Sequence, residues 1–205
     1  MLEYIKNEID GFHKRLGECK LENEREENDF IAAAEEVLSK CEPVARTDEE
    51  RHELAKFCNF LGCWLMVFTY RLKEGRRYYQ KALALHPESF DIHWEYFTTL
   101  EEIVEDKEQC TPEFIQDAID CLRFCIDYCD TPELKRENHI EYRWAELGRV
   151  YMTAKDYRSA RECFERSLAI TPDYKVGGLL KKAKRLENPV LRFFDGLFSV
   201  FRRKK

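Results

Sequence analysis

Glycine and proline are scarce, 8 and 6 in 205 residues, which leaves too few turn points for a sandwich of many short strands. Long apolar runs are absent as well. The most hydrophobic stretch, Phe60 to Phe68, is about half of the ~20 residues that cross a bilayer, so a buried helix accounts for it better. The amphipathic, acidic start Met1 to Asp10 lacks the cationic opening and continuous apolar stretch of a secretory signal. Cations do not dominate either: 34 Lys+Arg stand against 40 Asp+Glu. Bulk charge therefore argues against nucleic acid as a partner. Nine scattered cysteines, an odd number, do not form the framework of a small secreted fold and point to a reducing, cytoplasmic setting. No phosphate-cradling Gly-x-x-x-x-Gly-Lys segment, Gly-x-Ser-x-Gly elbow or His-x-x-x-His pair occurs.

What remains is helical material, 44% hydrophobic and 36% charged, rich in Glu, Lys, Arg, Leu and Ala. The prolines organise it. Thr111-Pro112-Glu113, Thr131-Pro132-Glu133 and Thr171-Pro172-Asp173 each place a hydroxyl cap, a proline and an acid where a helix begins, and Asn188-Pro189 is a fourth, weaker instance. Thr47-Asp-Glu-Glu50 supplies a capping box. Pro43, Pro87, Pro132 and Pro172 lie 44, 45 and 40 residues apart, the scale of a helix-pair repeat. Helices are expected over 48–73, 76–85, 88–105, 112–129, 133–153 and 156–170, preceded by 2–17 and 23–42 and followed by 173–187 and 189–203. In the first, Leu2, Ile5, Ile9, Phe12 and Leu16 repeat at helical spacing.

Glu141 to Tyr174 resembles a tetratricopeptide repeat. Trp144, Leu147, Gly148 and Tyr151 fill its first-helix pattern, and Ala160, Phe164 and Pro172 its second, with Ser167 a mild departure from a small alanine. A weaker copy covers about 55–87. Leu61 and Gly62 match the first half and Gly75, Tyr79, Ala82 and Pro87 the second, one residue out of register, as an insertion near Lys73 would produce. A more degenerate copy runs from Asp91 to about Asp130. The fold class expected is all-α, an antiparallel helix-pair solenoid of the tetratricopeptide-repeat type. Its parts are an N-terminal hairpin (1–47), a repeat array (48–174), and a capping helix with a basic amphipathic helix (175–205).

The resemblance implies a non-enzymatic scaffold or adaptor that binds a peptide or partner helix in a groove lined by first helices. The corresponding positions are Tyr142, Ala145, Arg149 and Met152 in the best repeat, Glu95 and Thr99 in the degenerate one, and Asn59 and Cys63 in the earlier copy. The clamp with which some members hold a C-terminal carboxylate is not reproduced, since Tyr142 and Glu146 stand where it wants cations. No residue is a catalytic candidate, and no metal site or cofactor is expected. Cys121, Cys125 and Cys129 recur every four residues, but inside the apolar arc of Phe114, Ile115, Ala118, Leu122 and Ile126, where cysteine acts as a small hydrophobe.

The chain ends in Asn188-Pro-Val-Leu-Arg-Phe-Phe-Asp-Gly-Leu-Phe-Ser-Val-Phe-Arg-Arg-Lys-Lys205. On a helical wheel Phe193, Phe194, Phe198 and Phe201 share one half with the aliphatic residues, opposite Arg192, Asp195, Arg202 and Arg203. Three readings fit: a helix that caps the array or grips a partner, a membrane-surface helix on an anionic leaflet with Arg202 and Arg203 at the headgroups, and a homodimer helix. Residues 175–205 hold 10 cations and 2 acids, residues 1–174 hold 24 and 38. A mildly acidic average therefore conceals an acidic array with a basic, aromatic end.

Overall fold

The computed structural model describes residues 1–18, 23–129 and 131–192. They form helices α1 (Leu2–Glu18), α2 (Glu24–Cys41), α3 (Asp48–Val67), α4 (Leu72–Leu85), α5 (Phe90–Glu105), α6 (Pro112–Tyr128), α7 (Pro132–Glu137), α8 (Ile140–Thr153), α9 (Tyr157–Ile170) and α10 (Tyr174–Glu187). No strand occurs among the described residues, and none of their helices is long and apolar enough to cross a membrane. Two compact units divide the chain between Thr99 and Leu100, within α5.

Capping side chains set most helix starts. The Thr47 hydroxyl accepts from Glu50 N (3.2 Å), while the Glu50 carboxylate accepts from Thr47 N (3.0 Å) and Arg46 N (2.8 Å). Those backbone donors hold the Glu50 carboxyl below its ordinary pKa. Asn23, Thr111, Thr131 and Asn188 accept in the same way from Glu26, Phe114, Leu134 and both Val190 and Leu191. The 171–173 motif works differently. Asp173, not Thr171, caps α10 through Lys175 N (2.6 Å) and Val176 N (3.2 Å), and Thr171 closes α9 by donating its N–H to Ser167 O (3.1 Å).

In the first unit α3 and α4 lie antiparallel, Gly62 against Tyr79 and Met66 against Gly75. A four-residue turn with Tyr70 at φ 56° joins them. The expected helices 48–73 and 76–85 therefore end and begin earlier, at Val67 and Leu72. The hairpin α1–α2 enters the same core. Phe12 stands edge-on to Phe57 (5.1 Å between ring centres) and against Phe30 (5.0 Å), and Phe30 meets Trp64 (4.2 Å). Ile5, Ile9 and Phe12 are buried there, with Leu16 packed at the edge.

In the second unit α8 and α9 repeat the arrangement, with Gly148 against Phe164 and a three-residue turn that carries Lys155 at φ 61°. The pair contact spans 16 residues here and 17 in α3–α4. The extra residue lies in the turn 68–71, just before the expected site at Lys73. α10 runs antiparallel to α9 through Arg161–Glu187 (3.4 Å) and Lys184–Glu165 (2.9 Å).

One expected helix is two. The span 133–153 breaks between α7 and α8, where His139 adopts φ 48° and Asn138 bonds back to Leu134 O through its N–H (3.0 Å) and its side chain (3.0 Å). Left-handed geometry at a histidine carries no glycine signature, so nothing in the sequence marks this corner. The expected helix 189–203 begins with one helical turn at 189–192, and its remainder lies outside the described residues.

Candidate functional site

The expected groove positions of the first unit come together. Asn59 on α3 is 7% exposed and donates its side-chain amide to the Glu95 carboxylate on α5. Thr99, one turn beyond Glu95, bonds the hydroxyl of Tyr79 (2.8 Å) and donates to Glu95 O (3.0 Å). Tyr79 in turn stacks on Tyr96 at 4.2 Å. Asn59 and Thr99 thus tie α3, α4 and α5 together, while Glu95 is the exposed member of the set.

In the second unit the expected residues share one face of α8. Tyr142 is 55% exposed, Arg149 is exposed, Met152 is half-buried, and Ala145 is buried between them. Arg149 reaches back to Glu146 (3.5 Å). Burial raises the Glu146 carboxyl above its ordinary pKa against the pull of Arg149, and Glu101 and Glu105 on α5 add to the rise. A folded-state pKa above the unfolded one means the native state binds the extra proton, so stability falls as pH rises from about 4.5 through the folded value. Glu146→Gln removes that cost along with a partly exposed ion pair of small worth. At pH 7 it is expected to raise the melting temperature. The gain disappears at pH 4, so thermal melts of both proteins at the two pH values check it.

The cysteine ladder is core. Cys121, Cys125 and Cys129 are at most 1% exposed, and burial pushes Cys121 well above the thiol range and Cys125 up to about 12. Such thiols are neither nucleophiles nor ready metal ligands. Among the described residues no group of three or more His, Cys, Asp or Glu is placed to hold a metal. His52 and His86 meet in an edge-on contact (4.6 Å), a pair that their separation of 34 positions concealed in the sequence.

A cleft of about 330 Å³ opens between α6 and α9 over α8, and no motif announced it. Trp144 lines it, with Leu147 and Ile126 buried behind. Arg166 lies over the Trp144 ring at 4.5 Å, and Arg123 lies over Tyr151 at 5.8 Å while donating to the Tyr151 hydroxyl (2.5 Å). Asp127 and Glu162 supply the opposite charge. Trp144 and Tyr151 are legible in the sequence as repeat fillers. Their pairing with arginines from α6 and α9 depends on packing that no spacing within one helix reveals.

Glycine-on-aromatic contacts between antiparallel neighbours, repeated in α3–α4 and α8–α9, define an all-α helix-pair repeat protein. The tetratricopeptide repeat family model matches residues 142–174, so the α8–α9 pair is a repeat of that type. No curated protein matches the chain. Among solved structures, the N-terminal domain of stress-induced protein-1 (STI-1) from C. elegans is 20% identical with a TM-score of 0.43, covering 67% of this chain and 98% of that one. At that level the likeness fixes no detail of this molecule.

Proposed function

We propose that the chain is a protein-binding adaptor that holds a peptide or partner helix on the exposed face of α8, without covalent chemistry, in the cytoplasm. The observation that carries this reading is the division of α8 into two faces. Leu147, Gly148 and Tyr151 are buried, whereas Tyr142 and Arg149 stay open to solvent, with Met152 half-buried beside them, on a helix fixed by Phe164 beneath it. A large aromatic beside an arginine is the composition of a contact hot spot. Glu101, Glu105 and Glu146 near that face favour a partner segment that carries positive charge. In affinity capture from the native cell, Tyr142→Ala with Arg149→Ala is expected to lose the specific partner. Full retention of every partner by a folded double variant sinks the reading.

A second reading rests on Val190 and Leu191, which are 62% and 43% exposed where the amphipathic segment begins. Apolar residues open to solvent at the head of a basic, aromatic segment fit shallow insertion into an anionic leaflet. The rest of that segment, including Phe193, Phe194, Phe198, Phe201, Arg202 and Arg203, lies outside the described residues. On this second reading the whole chain floats on anionic vesicles, and removal of 188–205 abolishes the flotation. Equal recovery of the two proteins excludes the tether.

A further inference from the structure

The α6–α8–α9 cleft is separate from the α8 face assigned to a partner: neither Tyr142 nor Arg149 lines it. We propose that it receives the chain's own C-terminal segment, residues 193–205, with a phenylalanine ring seated against Trp144 and the terminal cations lying along α6.

Four observations converge on this occupant. The first is the cleft's size and chemistry. At about 330 Å³ it stands near the small end of the range that encloses compact ligands, roughly 300–1,000 Å³, which suits an aromatic side chain with its flanks. Its lining includes the Trp144 ring, and the Arg166 and Arg123 guanidiniums lie over rings at 4.5 and 5.8 Å, so a further ring meets both an aromatic surface and cations. The second is reach. The Arg161–Glu187 bridge (3.4 Å) anchors the end of α10 beside the turn of α9 that carries Ser159 and Glu162, both at the cleft. The 13 residues beyond Arg192 can reach ~20 Å even at the short rise of a helix, against a helix width of about 10 Å to be crossed.

Charge is the third. Residues 188–205 hold five cations and one acid. α6 answers with Glu113, Asp117, Asp120 and Asp127 against Arg123 as its one cation, and Glu113, Asp120 and Asp127 fall on the stripe that leads to the cleft. The fourth is demand: Val190 and Leu191 open the segment's apolar face and are exposed, so that face still needs a surface to cover it. Covalent attachment favours the chain's own segment over a second copy, because a short tether supplies a millimolar effective concentration.

A photo-cross-linking residue at position 198 of the otherwise unaltered full chain tests the assignment. The expected products are intramolecular, on α6, α8 or α9 at the cleft, and they diminish with Trp144→Ala or when free 188–205 peptide is added in excess. A second measurement uses Trp64→Phe with Trp94→Phe, which leaves Trp144 as the fluorophore. Acrylamide is expected to quench Trp144 several-fold less in the full chain than in one ending at Arg192. Cross-links between chains give the cleft to a second copy, and cross-links elsewhere or equal quenching leave it empty of this segment. Equal quenching together with flotation on anionic vesicles assigns the segment to membrane. Each of these three results overturns the proposal and leaves the α8 partner face untouched.

Discussion

Gly148→Ala is expected to destabilise the protein by about 1–3 kcal/mol, the cost of forcing extra volume into a packed interior. A Cβ at that position would sit 2.5 Å from the Phe164 ring, which is itself wholly buried and has nowhere to go. Gly62→Ala meets the Tyr79 ring at 2.6 Å, and that ring is pinned by its stack on Tyr96 and its hydroxyl bond to Thr99. Gly75→Ala is the most severe of the three, since it meets Met66 and also the Gly62 carbonyl at 2.8 Å, a backbone atom that moves only with its helix. Opposing these costs is the helix propensity of alanine over glycine, worth about 1 kcal/mol. At Gly177 and Gly178 nothing lies within 4 Å, so that gain stands alone and each alanine variant is stabilised. Equilibrium denaturation of Gly148→Ala and Gly177→Ala should therefore give changes of opposite sign. A Gly148→Ala protein as stable as the parent means that α8 and α9 do not approach as described.

The same glycines explain how much of the fold could be read in advance. A helix pair needs a small residue where the axes come closest and a large one opposite, and that requirement writes Gly148, Ala160 and Phe164 into the sequence at fixed intervals. The weaker copy kept the chemistry, Gly62, Gly75 and Tyr79, and changed only the turn. Its register slip was thus visible as a number, while the place of the extra residue was not, because Phe68 to Arg71 includes no glycine or proline. His139 hid the α7–α8 corner for a related reason: φ 48° falls on a residue that is not glycine, so no glycine marks the turn.

Side-chain surfaces were less legible. Position within a repeat brought Asn59, Glu95 and Thr99 onto one face, but whether such a residue meets a partner or a neighbouring helix depends on the next helix over. Tyr142 and Arg149 are open to solvent, and Asn59 is buried with its amide on Glu95. The arginine–aromatic cleft draws Arg123, Trp144 and Arg166 from three helices, 43 positions from first to last.

Phe12→Ala is expected to cost about 3–5 kcal/mol, the range for emptying an aromatic site in a core. Two terms add: apolar area returned to water and the cavity left behind. Neither is easily recovered, since the ring is 2% exposed and wedged between Phe30 and Phe57, which belong to different helices and pack onward against Trp64 and the rest of the cluster. Collapse of α1 into the gap is opposed by Ile5 and Ile9, already in contact with the same core one and two turns away. Phe68→Ala is the matched control. That side chain is 69% exposed, and its removal should stay within about 0.5 kcal/mol. Trp64 lies in the affected unit, so its fluorescence during denaturation reports the loss directly. A small effect at Phe12 means that residues 1–47 form a hairpin independent of α3 and α4. The full effect shows that the first repeat pair owes its core to that hairpin.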